Sequence, residues 1–131
     1  MKLVFDTDIF ISAIVIPHSK AEKAILKVIK CYDSLIISKD IINEVLSVLS
    51  AKFHCDREAI SHVAFYLSDL AQIVNPTKRI HIFKDDPDNR VIECALCGKA
   101  DAIVTGDKEM LKMKEFEGIK IMSLKEYLEV R

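Results

Sequence analysis

The chain has 131 residues, half of them apolar, with only three Gly and three Pro and a formal net charge of −1. Two domains in that length would each fall near the size at which a hydrophobic core becomes marginal, so a single domain over residues 1–131 is expected. The near-neutral balance excludes a protein that grips nucleic acid through a broad cationic face; any such contact must be local.

No apolar run approaches the roughly 20 residues needed to cross a bilayer, and the opening MKLVFDTD lacks the long apolar segment of a signal peptide. A cytoplasmic location without a membrane partner is expected. Cys31, Cys55, Cys94 and Cys97 are too few for a disulfide scaffold in a chain of this length, and a reducing compartment would leave them free.

In chain order, the apolar run Leu3 to Phe5 reads as a buried strand. Ser19 and Glu22 have capping-box spacing ahead of a helical stripe at Ala21, Ala24, Ile25, Val28 and Ile29. A second strand, Leu35 to Ile37, precedes a helix marked by Ile41, Ile42, Val45, Leu46, Val48 and Leu49. Asp56 is a candidate N-cap for a third helix, with Ala59, Ile60, Val63, Ala64, Leu67 and Leu70 on one face. A weaker strand follows near Ile73 and Val74. The stretch from Asn75 to Asp88 is polar, holds two of the three prolines and has no regular period. Val91, Ile92, Ala95 and Leu96 mark a helix opening near Asn89, and Ala102 to Val104 and Ile119 to Met122 are further strands. Ser123 and Glu126 repeat the capping-box spacing for a last helix. Strands alternating with helices predict a three-layer α/β/α fold around a central parallel sheet of about five strands.

In such a sheet, ligands gather at the carboxyl ends of the strands. Asp6 directly follows the first strand, Asp107 follows Ala102-Ile103-Val104-Thr105-Gly106, and Asp88 sits at the helix start leading into that strand. Glu44 flanks the apolar face of the second helix, where it can point over the strand ends. Taken singly, Asp88 and Asp107 also suit helix caps or turns, and Glu44 suits a solvated flank. Asp6 is harder to explain away, because an acid behind a buried strand, with Asp8 two residues on, needs its charge satisfied. Converging carboxylates repel one another unless a cation intervenes, and oxygen-only donors select Mg²⁺ or Mn²⁺ over Zn²⁺. Such ions produce hydroxide from bound water and neutralise charge on a phosphoryl oxygen. The basic residues Lys84, Arg90, Lys108 and Lys112 lie beside these acids, where they could touch substrate phosphates or serve as ordinary surface charge.

The segments LVFDTDIFISAI, IINEVLSVL, DPDNRVIECAL and ADAIVTGDKEML, in this order, together resemble the PIN-domain family over nearly the whole chain. The branch they resemble most is that of the toxin components of toxin–antitoxin systems, the VapC-type ribonucleases. The resemblance implies metal-dependent endoribonuclease activity on RNA with Mg²⁺ or Mn²⁺, and a homodimer held inactive by a cognate antitoxin. Carried over residue by residue, it makes Asp6, Glu44, Asp88 and Asp107 the catalytic and metal-binding acids. It makes Thr105 a hydroxyl that orients a carboxylate or bound water. Asp8 departs from the family, which usually has Asn or Ser there, and is a candidate extra ligand. Asp85 and Asp86 compete with Asp88 for the third acidic role; Asp88 is preferred as directly preceding the helix.

Other signals are weaker. Cys94 and Cys97, with His54 and Cys55, could in principle bind zinc, but they lack a second CxxC pair. His18, His62 and His81 have no catalytic spacing. FDTD, LIIS and VTGD overlap the motifs of haloacid-dehalogenase-like phosphatases, with Asp6 as nucleophile, but that reading leaves Glu44 without a role. A phospho-acceptor receiver domain would need an acceptor Asp on the central strand, and none is present. A catalytically inactive PIN-like binding module is the remaining alternative.

Overall fold

Lys2–Phe5 forms β1, whose Leu3, Val4 and Phe5 are wholly buried, as befits a strand in a parallel sheet covered on both faces. The computed structural model describes residues 1–130. After β1 come α1 (Thr7–Val15), α2 (Lys20–Lys30), β2 (Ser34–Ser38), α3 (Lys39–Phe53), α4 (Arg57–Leu70) and β3 (Gln72–Val74). The second half contains α5 (Asp86–Cys97), β4 (Ala102–Val104), α6 (Lys108–Met113), β5 (Glu115–Phe116), β6 (Ile119–Met122) and α7 (Leu124–Glu129).

The sheet has six strands in the order β3-β2-β1-β4-β6-β5, all parallel except β5, a two-residue edge strand antiparallel to β6. The five strands expected from apolar runs are all present. β5 carries too short an apolar signal to be read. From β1 the chain steps outward to β2 and β3, then returns to the other side of β1 for β4. With right-handed crossovers this reversal puts helices on both faces. α5 packs across β1, β2 and β4, and α3 packs on β2. The gap between the carboxyl ends of β1 and β4 is therefore the topological switch point, where doubly wound sheets bind ligands. The order also differs from the 2-1-3-4-5 order of receiver-type sheets.

Expected caps are in place: the side chain of Ser19 accepts from Glu22 N, that of Asp56 from Ala59 N, and Ser123 and Glu126 form a reciprocal capping box. α1 was not legible. Its sequence TDIFISAIV has six apolar residues in nine, four of them Ile or Val, which masks helical periodicity. It forms a helix because it is sandwiched against α2 and α3, with Ile9, Phe10 and Ile11 buried. α5 opens at Asp86, three residues before the expected start, with Pro87 in its first turn. Asp88 therefore lies inside that turn and does not precede the helix. At the other end of α5, Gly98 lets the chain pass close to the sheet, since a Cβ there would stand 2.7 Å from Ile36 Cγ2.

Candidate metal centre

Asp6 is 4% exposed and begins where β1 ends; its N–H donates to Val104 O at 3.0 Å, which ties it to the end of β4. It occupies the N-cap position of α1, yet its side chain makes no cap hydrogen bond. Instead it accepts from the buried Thr105 hydroxyl, Oγ1 to Oδ2 at 2.7 Å. The same Thr105 Oγ1 accepts from Asp107 N at 3.0 Å. One hydroxyl thus links the acid after β1 to the turn after β4. Asp107 caps α6, its Oδ1 accepting from Glu109 N and Met110 N at 2.7 and 3.1 Å. The capping alternative for Asp107 is therefore real, and it uses one carboxylate oxygen of two.

Asp88 is 6% exposed on the first turn of α5. Burial pushes its carboxyl up to about 7, assisted by the charges of Asp6, Asp107 and Asp85. Burial likewise raises Asp6 to about 6 against the lowering pull of the Thr105 hydroxyl, with Asp8 and Asp107 adding repulsion. Among the described residues no Lys, Arg or His forms an ion pair with Asp6, Asp88 or Asp107. The structure thus brings Asp6, Asp88 and Asp107 into one field of mutual repulsion.

Glu44 stands apart from that trio. It is half-buried on α3 and lines a cleft of about 250 Å³ with Thr7, Asp40, Asp86 and Arg90. Thr7 joins the cleft to Asp6 through the chain. Asp8 is exposed and acts on Asp6 only through its charge. Asp85 is the exposed N-cap of α5, and Asp86 is an exposed first-turn residue held by Asn89 and Arg90. Neither matches the burial of Asp88. Lys84 and Lys108 are exposed, whereas Lys112 pairs with Glu109 at 3.2 Å.

Arg90 is largely engaged elsewhere. Its Nη2 meets Glu93 Oε2 at 2.7 Å and donates to Ile80 O at 3.1 Å, and its Nε is buried without a partner. Glu93, buried at 3% exposure, and Asn89, at 1%, are site neighbours that the sequence reading passed over. Their signal was present: two polar residues four apart, on the same helical face as apolar neighbours in DPDNRVIECAL.

The donor chemistry fits a hard divalent cation. The acids offer only oxygen, two of them are buried, and no protein cation offsets them. As placed, no three His, Cys, Asp or Glu side chains among the described residues close around a common point. Zinc has no support: Cys94 is buried with its thiol pushed up to about 12 by burial, while Cys97 faces solvent.

Thr105→Val tests the hydroxyl link. Two buried polar groups would lose their partner, so stability should fall by about 1–3 kcal/mol in chemical denaturation. Asp6 should titrate higher still, because a hydrogen bond that favours its charged form is gone. Thr105→Ser should keep both values near wild type, and carbon NMR of the carboxyl reads the titration.

The chain is a doubly wound α/β protein with buried acids at its switch point, the place where such sheets bind their ligands. The PIN domain family matches residues 2–109, and the chain belongs to that family, whose members are generally nucleases that use divalent metals. An uncharacterized protein of Methanocaldococcus jannaschii is 30% identical over 119 residues, covering 88% of this chain and 76% of its own length. In a crystal structure of VapBC2 from Rickettsia felis bound to a promoter DNA fragment, one chain superposes with a TM-score of 0.68. That match covers 94% of this chain and 98% of the other at 14% identity, a likeness of fold. No helix among the described residues is long and apolar enough to cross a membrane.

Proposed function

We propose that the protein is a Mg²⁺- or Mn²⁺-dependent endoribonuclease that hydrolyses RNA phosphodiesters. The observation that carries this reading is the buried, mutually repelling Asp6 and Asp88 beside Asp107, with no protein cation to offset them. Asp6, Asp88 and Asp107 would hold the ion, with Glu44 reaching it from α3. When bound, a divalent ion supplies a water-derived hydroxide at neutral pH and charge neutralisation at the phosphoryl oxygens.

The chain's own residues set up that chemistry. Thr105 fixes Asp6 and the Asp107 turn in one orientation. Asp107 keeps one oxygen on the α6 amides and leaves the other for a ligand. Asp88, buried on the first turn of α5 and repelled by Asp6 and Asp107, would gain most from a cation that offsets its charge. Lys84, four residues before Asp88, and Lys108, directly after Asp107, are exposed and free to meet substrate phosphates. The family and the fold support a toxin role with a cognate antitoxin; that role and a homodimeric assembly belong to this proposal.

Single-stranded RNA incubated with Mg²⁺ or Mn²⁺ should be cut, and chelation should stop the cutting. Cleavage that persists in chelator, or turnover of a phosphomonoester with phosphate trapped on Asp6, would contradict this and favour the phosphatase alternative. RNA that is bound but never cut would favour an inactive binding module.

A further inference from the structure

Residues 75–85, between β3 and α5, belong to no helix or strand, yet the backbone of Ile80, Ile82 and Phe83 is held in place. Irregular backbone must find partners for its N–H and C=O groups, and here three side chains of α5 provide them. Asn89 Oδ1 accepts from Ile82 N at 3.0 Å and Phe83 N at 2.8 Å, and Asn89 Nδ2 donates to Phe83 O at 2.8 Å. Glu93 Oε2 accepts from Ile80 N at 2.7 Å, and Arg90 Nη2 donates to Ile80 O. Arg79 anchors the near end, its Nη1 lying 3.2 Å from both Glu93 Oε1 and Asp40 Oδ2 on α3. Ile80 and Phe83 pack toward the core, while His81, Ile82 and Lys84 remain exposed.

Asn89 and Glu93 are unusual for buried groups, because both are committed to the backbone of one exposed segment. A buried carboxylate is costly unless paired, and Glu93 is paired by Arg79 and Arg90. The latch therefore fixes residues 79–83 of a strap whose ten residues from Asn75 to Lys84 contain Lys78, Arg79, His81 and Lys84 and no acid. The strap leads directly into Asp85 and the turn that carries Asp88. Through Arg79 it also meets Asp40, which lines the cleft holding Glu44.

We infer that this latched strap is a guide for single-stranded RNA. Lys84 meets a phosphate, and His81 and Ile82 offer surfaces for an unstacked base. Asn89 and Glu93 act as positioning residues that hold the strap in register with the acids. The proposal rests on the ribonuclease reading for its substrate class. It also corrects the role expected for Arg90, which serves the latch. Single-stranded RNA is the chemistry this segment suits, because exposed Lys78 and Lys84 beside the flat His81 and the apolar Ile82 suit phosphates and splayed bases. A strap fixed by hydrogen bonds to a helix does not reorganise on binding, so its contacts cost little ordering entropy.

The test is binding of a labelled single-stranded RNA, followed by fluorescence anisotropy in chelator over a range of KCl concentrations. Lys84→Ala should make the plot of log affinity against log salt shallower by about 0.7, the share of one phosphate contact on a single strand. His81→Ala should weaken binding about tenfold at every salt concentration without changing the slope, as loss of a stacked base does. Asn89→Ala should lose both components, since the strap is released. If Asn89→Ala fails to fold, Lys84→Ala and His81→Ala, both exposed, still decide the matter. Wild-type affinity and slope in those two variants would overturn the guide, as would a wild-type protein that does not bind the RNA. Because no cleavage is read, this result separates from the nuclease reading. RNA bound through the strap but never cut with Mn²⁺ would remove the nuclease and leave the guide; RNA cut with unchanged binding in the variants would do the reverse.

Discussion

Asp6→Asn should lower RNA cleavage at least about a thousandfold, comparable to losing a central electrostatic element of a nuclease site, while leaving the protein folded. The substitution is nearly isosteric, and the asparagine carbonyl can still accept the Thr105 hydroxyl that now binds Oδ2. It also removes a buried charge whose ionisation is opposed by desolvation and by Asp8 and Asp107. Thermal melting at neutral pH should therefore be unchanged or raised as activity disappears. A variant that is inactive because it is unfolded, or one that keeps wild-type cleavage, would remove Asp6 from the centre of the account.

Asp88→Asn should stabilise the metal-free protein at neutral pH by an amount of the order of a few kcal/mol while abolishing cleavage. The direction follows from the proton balance. Asp88 titrates at about 7 and Asp6 at about 6 in the folded chain, both above the ordinary value of 3.8. The folded state therefore keeps protons that the unfolded state has already released. The stabilising contribution is fully present below about pH 4 and drains away as pH rises through 6 and 7. Wild type should lose stability over that window. The gap between wild type and Asp88→Asn should open across it and vanish in acid. Melting temperatures measured from pH 4 to pH 8 without metal read this directly, and curves that stay parallel would contradict it.

What could be read from the sequence divides along physical lines. The strands Leu3–Phe5, Leu35–Ile37, Ala102–Val104 and Ile119–Met122 were legible because burial on both faces leaves an unbroken apolar run. The amphipathic helices α2, α3 and α4 were legible by their period and caps. α1 was not, because a helix buried against α2 and α3 loses the polar face that defines a period. The acids after β1 and β4 were legible from strand-end placement alone, and the structure puts both at the switch point. Asp88 needed the family resemblance, since nothing in DDPDN says which of three acids turns inward. Only the fold, by making Asp86 the first residue of α5, buries Asp88 and exposes Asp85 and Asp86.

Glu44 shows the opposite limit. Spacing placed it on the flank of α3, and there it is, but in a cleft beside Asp86 and Arg90, outside the mutual field of the other three acids. Asn89 and Glu93 could be placed on a helix face with apolar neighbours, but their role could not be read. Their partners are backbone groups of a segment without regular structure, and no pattern in the sequence announces which backbone will need a side chain.

The measurement that tests the central claim most directly is the effect of Mn²⁺ on the melting temperature at pH 8. There the acids are ionised and lack a protein counter-charge. The melting temperature of wild type should rise with Mn²⁺ concentration as binding linkage requires, and the rise should be lost in Asp6→Asn and Asp88→Asn. Equal responses of wild type and both variants to Mn²⁺, or no response in any of them, would contradict it.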